Sequence, residues 1–345
     1  MKKIFSILTV FLTLAVTTVS CSSNDDAPIE SSLATITDFS IAIDGVNADD
    51  IVYDLGTDII VTVPFGTSLT AVTPTITVSE NATVSPVSGA AITFVDGEAK
   101  TFTVTAEDEV TTKNYTVTIN VRGEIGSGSQ LETYVYTADY GFFALNTTTT
   151  YEYDDTFGFV NKISEDEGFG AIVFTLIYDD KNQVIEKIAE GESTVYTYEE
   201  GQIVKAEYKK EDVLVYTYIY TYNASGNLIK EERTNHEETD AVVDNINTFE
   251  YDTNGNVIKT NTGTAQTNPS EATYDTKNNP FKGIYPAAYA AINVSFDAVN
   301  TNNPITRDTA DVTYVYNTDD YPLESSYTNS EFDYTFNKAF TYLAN

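Results

Sequence analysis

From residue 33 onward, apolar and polar positions alternate with a period of two, which predicts strands nearly throughout. Ile36, Phe39, Ile41 and Ile43 open the pattern, and Ile76 and Val78 mark a later strand. Ile59, Val61 and Val63 share one face, and Pro64 closes their strand. Phe102 and Val104 alternate with threonine, Glu107-Asp108-Glu109 turns the chain, and Tyr115, Val117, Ile119 and Val121 alternate on the return. Turn pairs such as Asp44-Gly45, Ser88-Gly89 and Asp96-Gly97 cut the other runs short. Residues 33–121 are thus predicted to hold about seven short strands, the arrangement of a β-sandwich.

Farther along, one phrase recurs: a tyrosine, an acid or amide, a short turn, then two aliphatics. It reads Tyr153-Asp154, Tyr178-Asp179, Tyr198-Glu199, Tyr222-Asn223, Tyr251-Asp252, Tyr274-Asp275 and Tyr316-Asn317. From Leu131 on, the chain holds 23 of its 25 tyrosines, often in alternating pairs that share one strand face. Return strands open Val184-Ile185, Ile203-Val204, Leu228-Ile229 and Val257-Ile258, with Lys187, Lys205, Lys230 and Lys259 following. Successive phrases lie 25, 20, 24, 29, 23 and 42 residues apart, room for one hairpin per repeat. The long gap contains Tyr285 to Phe296, where Pro286 and the alanines predict a short helix. Its apolar face (Tyr285, Tyr289, Ile292, Phe296) would pack on the sheet and plug one end. The fold class expected is all-β: an N-terminal Ig-like β-sandwich, then a curved or partly closed antiparallel meander of hairpins with one short helix inserted. If the tyrosine face is core, each hydroxyl needs a partner, expected from turn acids or cross-strand threonines.

The N-terminus changes the picture of where the chain resides. Lys2 and Lys3 precede an apolar run from Ile4 to Val16, too short to span a bilayer comfortably. Val19-Ser20-Cys21 follows, and Cys21 is the one cysteine. This resembles a bacterial lipobox, although Thr18 stands where leucine is commonest. The resemblance implies lipidation of Cys21 and membrane anchoring through it. Ser22-Ser23-Asn24-Asp25-Asp26 resembles the acidic tether of surface-exposed Bacteroidota lipoproteins. The expected division is a lipoprotein signal peptide (1–20), a disordered acidic tether (21–32), an Ig-like sandwich (33–121), a Gly/Ser linker (122–130) and a repeat β-domain (131–345). The linker, Arg122 to Gln130, holds one acid and three glycines, a flexible joint rather than a calcium joint.

Two further resemblances concern the folded parts. The hairpin around Phe102 and Tyr115 is similar to closing hairpins of cadherin-like or Ig-like modules in Bacteroidota surface lipoproteins, which implies a spacer. The tyrosine phrase resembles the YD repeat of rearrangement-hotspot and teneurin-type proteins. Tyr274 to Lys282 is similar to uncharacterised Bacteroidota lipoproteins with degenerate YD-like repeats. The chain departs from long YD arrays in having about eight units and no arginine in the turn.

Composition narrows the function. With 18 basic and 52 acidic residues the net charge is −34, a surface that repels nucleic acid. The single histidine, His236, sits in a polar loop, too few for a histidine metal site. Asp252 to Asn256 offers oxygen donors but lacks the glycine and glutamate spacing of a calcium loop. No phosphate loop, nucleophile elbow or zinc motif occurs. Asp308-Thr309-Ala310 matches a short O-glycosylation acceptor. The reading is an outer-membrane, surface-exposed lipoprotein that is not an enzyme, has no catalytic residue, metal or cofactor, and binds an extracellular glycan or protein. The alternatives are a structural protein of the envelope and a carboxylate-dependent glycoside hydrolase. Cys21→Ala is expected to move the protein from the membrane to the soluble fraction; a membrane-bound variant, together with no palmitate incorporation by the native chain, would remove the basis for anchoring.

Overall fold

A computed structural model describes residues 30–237, 240–267, 269–298, 300–329 and 331–343; Cys21 and the tether to residue 29 lie outside it. The chain divides into two compact units. One holds Asp54–Ile60, Leu69–Thr118 and the described residues up to Asp44. The other holds Gly45–Tyr53, Val61–Ser68 and the described residues from Ile119.

The N-terminal strands are β1 (Ile36–Ala42), β2 (Val52–Asp54), β3 (Asp58–Val63), β4 (Thr73–Val78), β5 (Thr83–Ser85), β6 (Ala99–Thr105) and β7 (Thr112–Val121). Strands β1 and β4 form one antiparallel pair, and a second sheet runs β2-β3-β7-β6-β5. The predicted hairpin is β6–β7, with Phe102 opposite Tyr115. Its alternation is the burial pattern: Phe102, Val104, Val117 and Ile119 are buried, and so are Ile59, Val61 and Val63. Phe39 of β1 meets Phe102 edge-on with ring centroids 6.3 Å apart, so the two sheets face each other across an apolar layer.

Seventeen strands form the second architecture, β8 to β24, in one antiparallel, nearly closed barrel-like sheet. The first hairpins are β8 (Leu131–Asp139) with β9 (Ala144–Tyr153), β10 (Val160–Asp166) with β11 (Ala171–Tyr178), and β12 (Val184–Ala189) with β13 (Glu192–Glu199). Next come β14 (Gln202–Lys210) with β15 (Val213–Tyr222), β16 (Leu228–Asn235) with β17 (Val242–Tyr251), and β18 (Val257–Thr262) with β19 (Pro269–Tyr274). The short strands β20 (Pro304–Arg307), β21 (Ala310–Asp311) and β22 (Thr313–Tyr316) lead to β23 (Pro322–Asn329) and β24 (Tyr334–Tyr342). Strand β24 pairs with β8 over eight positions, from Thr335–Asp139 to Tyr342–Leu131. That pairing removes the edges a seventeen-stranded meander would otherwise expose.

The repeated phrase has a mechanical meaning. The acid or amide folds its turn: Asp179 Oδ1 accepts from the Lys181 and Gln183 N–H groups, Asn223 Oδ1 from Ser225 and Asn227, and Asp252 Oδ1 from Asn254 and Asn256. The tyrosine hydroxyl donates to the main-chain carbonyl at or near the start of its partner strand. Tyr153 reaches Leu131 (2.9 Å), Tyr198 Val184 (2.8 Å), Tyr222 Ile203 (2.6 Å), Tyr251 Leu228 (2.8 Å), Tyr274 Val257 (2.7 Å) and Tyr342 Pro322 (2.6 Å), and Tyr178 reaches Val160 in the same way. The expected partners, turn acids and threonines, are thus replaced by carbonyls, because the ring lies along the strand and its tip arrives at the hairpin base. Tyr316 keeps the expected kind of partner and donates to Asp275.

Each of these tyrosines also adjoins a β-bulge. The extra residue shifts the alternation, so the strand-opening aliphatic and the residue three later share the inner face. Ile203 and Ala206 are both buried, opposite Tyr198 and Tyr196. Lys205, Lys230 and Lys259 fall on the outer face beside Glu207, Glu232 and Glu250. Such exposed pairs contribute about 1 kcal/mol or less. Lys187 is one position later in its strand and therefore lands inside, 4.0 Å above the Phe174 ring.

The helix α1 (Ala287–Ile292) forms where predicted, with Pro286 as its N-cap residue rather than in its first turn. Tyr289 is buried among Leu176, Val184, Ile203, Tyr220 and Leu228, so the helix packs within the barrel core. Residues 123–129 do not behave as a loose leash. A methyl group on Gly126 would stand 2.3 Å from the Gly158 oxygen, and one on Gly128 would stand 2.6 Å from the Gly283 carbonyl carbon. Ser129 donates to Pro280 O at 2.6 Å. These glycines serve close backbone approach, which composition alone does not separate from flexibility.

Tyr222→Phe is expected to lower stability by about 1–3 kcal/mol, the cost of a buried acceptor losing its donor. Tyr220→Ala, which empties part of the core, should cost about 3–5 kcal/mol. Urea unfolding of both variants checks the order; equal, negligible losses would contradict the core assignment. Burial raises the hydroxyl pKa of Tyr222 and Tyr289 to about 12 from 10.0, and raises those of Tyr178, Tyr196 and Tyr220 further. The folded state therefore holds protons that the unfolded chain releases. Their contribution is fully present below pH 10.0 and is lost as pH rises toward 12. Urea midpoints should fall steeply between about pH 10 and about pH 12, with tyrosinate absorbance rising as the chain unfolds.

Candidate functional site

Antiparallel hairpins place alternate loops at opposite ends of the barrel. The phrase turns, α1 and residues 123–129 gather at one end. At the other end, neighbouring tips carry aromatic rings. The Asp139 carboxylate accepts from the Gly141 N–H (2.8 Å) and tightens the β8–β9 turn, which presents Tyr140, Phe142 and Phe143. Because β24 pairs with β8, the β23–β24 tip with Phe332 and Tyr334 lies alongside. Tyr140 stacks on Phe143 and meets Tyr334 edge-on, both at 4.9 Å. Phe332 stacks on Tyr334 at 5.5 Å, and Phe336 stacks on Tyr327 at 4.7 Å. Phe142 is 82% exposed and Phe332 56%; on the next tip, Phe169 is 97% exposed. Rings thus run from the exposed tips to partly buried wall positions, where Tyr136 and Tyr327 are found.

Below this rim the lumen is polar. A cavity of about 370 Å³ is lined by Glu231, Asn245, Asn247, Phe249, Phe296 and Arg307, among others. Asn247 donates to Glu231 at 2.8 Å. Burial raises the Glu231 carboxyl pKa against the lowering influence of Asn247 and Arg233. Nearby, Asp297 forms ion pairs with both Arg307 and Lys338. Burial opposes the Asp297 charge, yet the two cations hold its pKa below the usual carboxylate value. Burial and the Arg307 charge depress Lys338 to about 8, against the pull of Asp297. A larger cavity of about 700 Å³ lies at the turn end, between α1, Ser127, Tyr251, Lys282 and Asn302.

Buried asparagines hold the inserted segment that carries α1 and Asp297. Asn256 Oδ1 accepts from the Thr301 and Asn302 N–H groups, both at 2.9 Å. Asn300 Oδ1 accepts from Val257 N at 2.7 Å, while its amide donates to the Ser295, Phe296 and Ala298 carbonyls. Asn279 donates to Asp297 O at 2.8 Å. Sequence reasoning passed over this set; the signal was the run Asn300-Thr301-Asn302-Asn303 in an insertion otherwise short of polar ladder partners. It also missed Asp297, Arg307 and Lys338, which no local pattern connects.

The residues singled out earlier fall elsewhere. His236 lies just after β16 with Nε2 2.9 Å from Thr217 Oγ1. In the Asp252–Asn256 turn both Asp252 oxygens accept hydrogen bonds within the turn. Asp308 has φ 51° and accepts from Glu271 N at 2.9 Å, which places Asp308-Thr309-Ala310 in the β20–β21 turn. Glu124, the linker acid, accepts from Ala287 N at the start of α1 (3.0 Å).

A sequence family described as SGBP, N-terminal, matches residues 34–119. No curated protein matches the chain. Similar solved structures include a porin-like protein from Bacteroides uniformis, at 13% identity, covering 62% of this chain and 98% of that one with a TM-score of 0.42. They also include a putative glycoside hydrolase from Bacteroides thetaiotaomicron, at 13% identity, covering 94% and 86% with a TM-score of 0.24. A DUF4623 family protein from Bacteroides eggerthii matches at 11% identity, covering 88% and 99% with a TM-score of 0.21.

Proposed function

We propose that this protein is a non-catalytic, surface-exposed lipoprotein of the outer membrane, anchored through Cys21, which binds extracellular glycan at the open end of its barrel. The N-terminal module serves as a spacer. The matched family at residues 34–119 is that of surface glycan-binding proteins of Bacteroidetes, which supports the compartment and the ligand class. The observation that carries the reading is the run of exposed rings at Phe142, Phe143 and Phe332, backed by half-buried Tyr334, over a polar lumen. Flat apolar faces beside hydrogen-bonding groups suit sugar rings, which present C–H faces and hydroxyl edges. A purely structural wall has no use for three such rings exposed at one rim. The lumen carboxylates are engaged, Asp297 with two cations and Glu231 with Asn247, which favours binding over hydrolysis.

The experiment is a glycan array with the soluble Cys21→Ala chain, followed by calorimetry on the glycans that bind. Phe142→Ala with Phe332→Ala should weaken binding by about tenfold or more, the scale of losing one or two stacking contacts. The thermal midpoint should stay unchanged, since both rings are exposed. Full affinity after removal of both rings would sink the proposal.

A further inference from the structure

Two cations and one carboxylate meet inside the barrel. The Lys338 side chain is 3% exposed and that of Arg307 18%, and both pair with Asp297. That leaves one positive charge in excess in a confined space. A buried charge is costly unless it is paired. The neighbouring aromatic faces supply only part of the compensation: Arg307 lies 5.4 Å from the Tyr327 ring centroid and 5.9 Å from that of Phe296, and Lys338 lies 6.0 Å from Tyr327. Two polar groups in the same cluster have no hydrogen-bond partner, the Arg307 Nε–H and the Ser325 hydroxyl. Ser325 is 4% exposed and stands opposite Lys338 in the β23–β24 register. Buried groups of this kind are normally satisfied, and these two call for a water, an ion or a ligand group as partner.

The surroundings suit an anion. Arg307 lines the 370 Å³ cavity beside the amides of Asn245 and Asn247 and the hydroxyls of Thr260 and Thr262. Glu231 faces the same cavity, and burial raises its carboxyl pKa, a shift toward the neutral form. The outer surface, part of a chain with a net charge of −34, repels anions, so attraction has to come from a local, desolvated site.

We propose that the lumen cluster of Arg307, Lys338 and Ser325 receives an anionic substituent of the bound glycan, so that the ligand is an acidic saccharide. The shared chemistry is an oxyanion, a carboxylate or a sulfate ester, whose oxygens match the guanidinium fork. This rests on the glycan-binding reading and narrows it to a ligand class.

The test titrates the soluble Cys21→Ala chain with oligogalacturonate, its carboxyl-reduced counterpart and a sulfated galactan oligosaccharide. At least one charged form should bind about tenfold more tightly than the neutral form, the scale of one charge-assisted hydrogen bond. The carboxylate and sulfate arms identify which anion is taken. Arg307→Gln should erase the preference for charge, and Arg307→Lys should restore part of it. Ser325→Ala leaves the ion pairs intact and should lower the preference by about two- to threefold, so the inference stays testable if Arg307→Gln fails to fold. Equal binding of charged and neutral forms overturns the inference, as does a folded Arg307→Gln that keeps the preference. A neutral glycan that binds and is lost with the rim rings, without any gain from charge, overturns this inference alone. Absence of binding to any glycan, neutral or charged, overturns the proposed function with it.

Discussion

The hydrogen bond from a turn-side tyrosine to a carbonyl at the base of its own hairpin, made by every phrase tyrosine but Tyr316, is the contact on which the barrel depends. That carbonyl belongs to a buried residue at or next to the start of its strand, as at Leu131, Val184, Ile203, Leu228 and Val257, and it sits where the ladder ends. Water is excluded there, so an acceptor left without a donor would cost about 1–3 kcal/mol. The tyrosine supplies that donor from a ring that also fills the core. One residue type thus closes the hydrogen-bond inventory and the packing together. Repetition of the same contact from Tyr153 to Tyr342 explains why the phrase tolerates changes in loop length but keeps its tyrosine.

The bulge beside that tyrosine decides what the lumen contains. Without it, simple alternation from Ile203 would place Lys205 inside and Ala206 outside. With it, Ala206 faces the core and Lys205 pairs with Glu207 on the outer face. The same offset directs Glu231 and Thr260 to one shared cavity. A one-residue irregularity, repeated, therefore separates a charged outer wall from an inner wall of rings, amides and a few charges.

Much of this architecture was legible in the residues. Period-two patterning in Phe102, Val104, Tyr115 and Val117 located the β6–β7 hairpin, and the spacing of Tyr153, Tyr178 and Tyr198 located one hairpin per repeat. Pro286 and the alanines located α1. The rest was hidden for physical reasons. Hydroxyl partners are set by where a ring tip arrives in space, so turn acids were expected where carbonyls occur. Gly126 and Gly128 look the same whether they bend freely or sit against another backbone. Asp297, Arg307 and Lys338 come from an insertion, a four-residue strand and the last strand. Only closure of the sheet brings them together, and no local window contains them.

The two ends of the barrel follow from one asymmetry. At the phrase end, every turn but the one at Glu199 is tied by an Asx residue, the tyrosines fasten the strand starts, and α1 and residues 123–129 pack against the turns. Apolar and polar groups there are largely spent on one another. At the other end, Asp139, Asp166 and Asn329 also tie their tips, but the exposed rings of Phe142, Phe169 and Phe332 are left facing solvent. Binding groups placed there can change with little cost to the core, because the hairpins are fastened at their far bases. A fixed base and a variable rim are what a recognition module requires, since ligand contacts then rest on a wall that does not rearrange. On the proposed function, Phe142 and Phe332 are therefore the positions at which affinity can be altered without altering the fold, whereas Tyr222 and Tyr251 are positions at which the reverse holds.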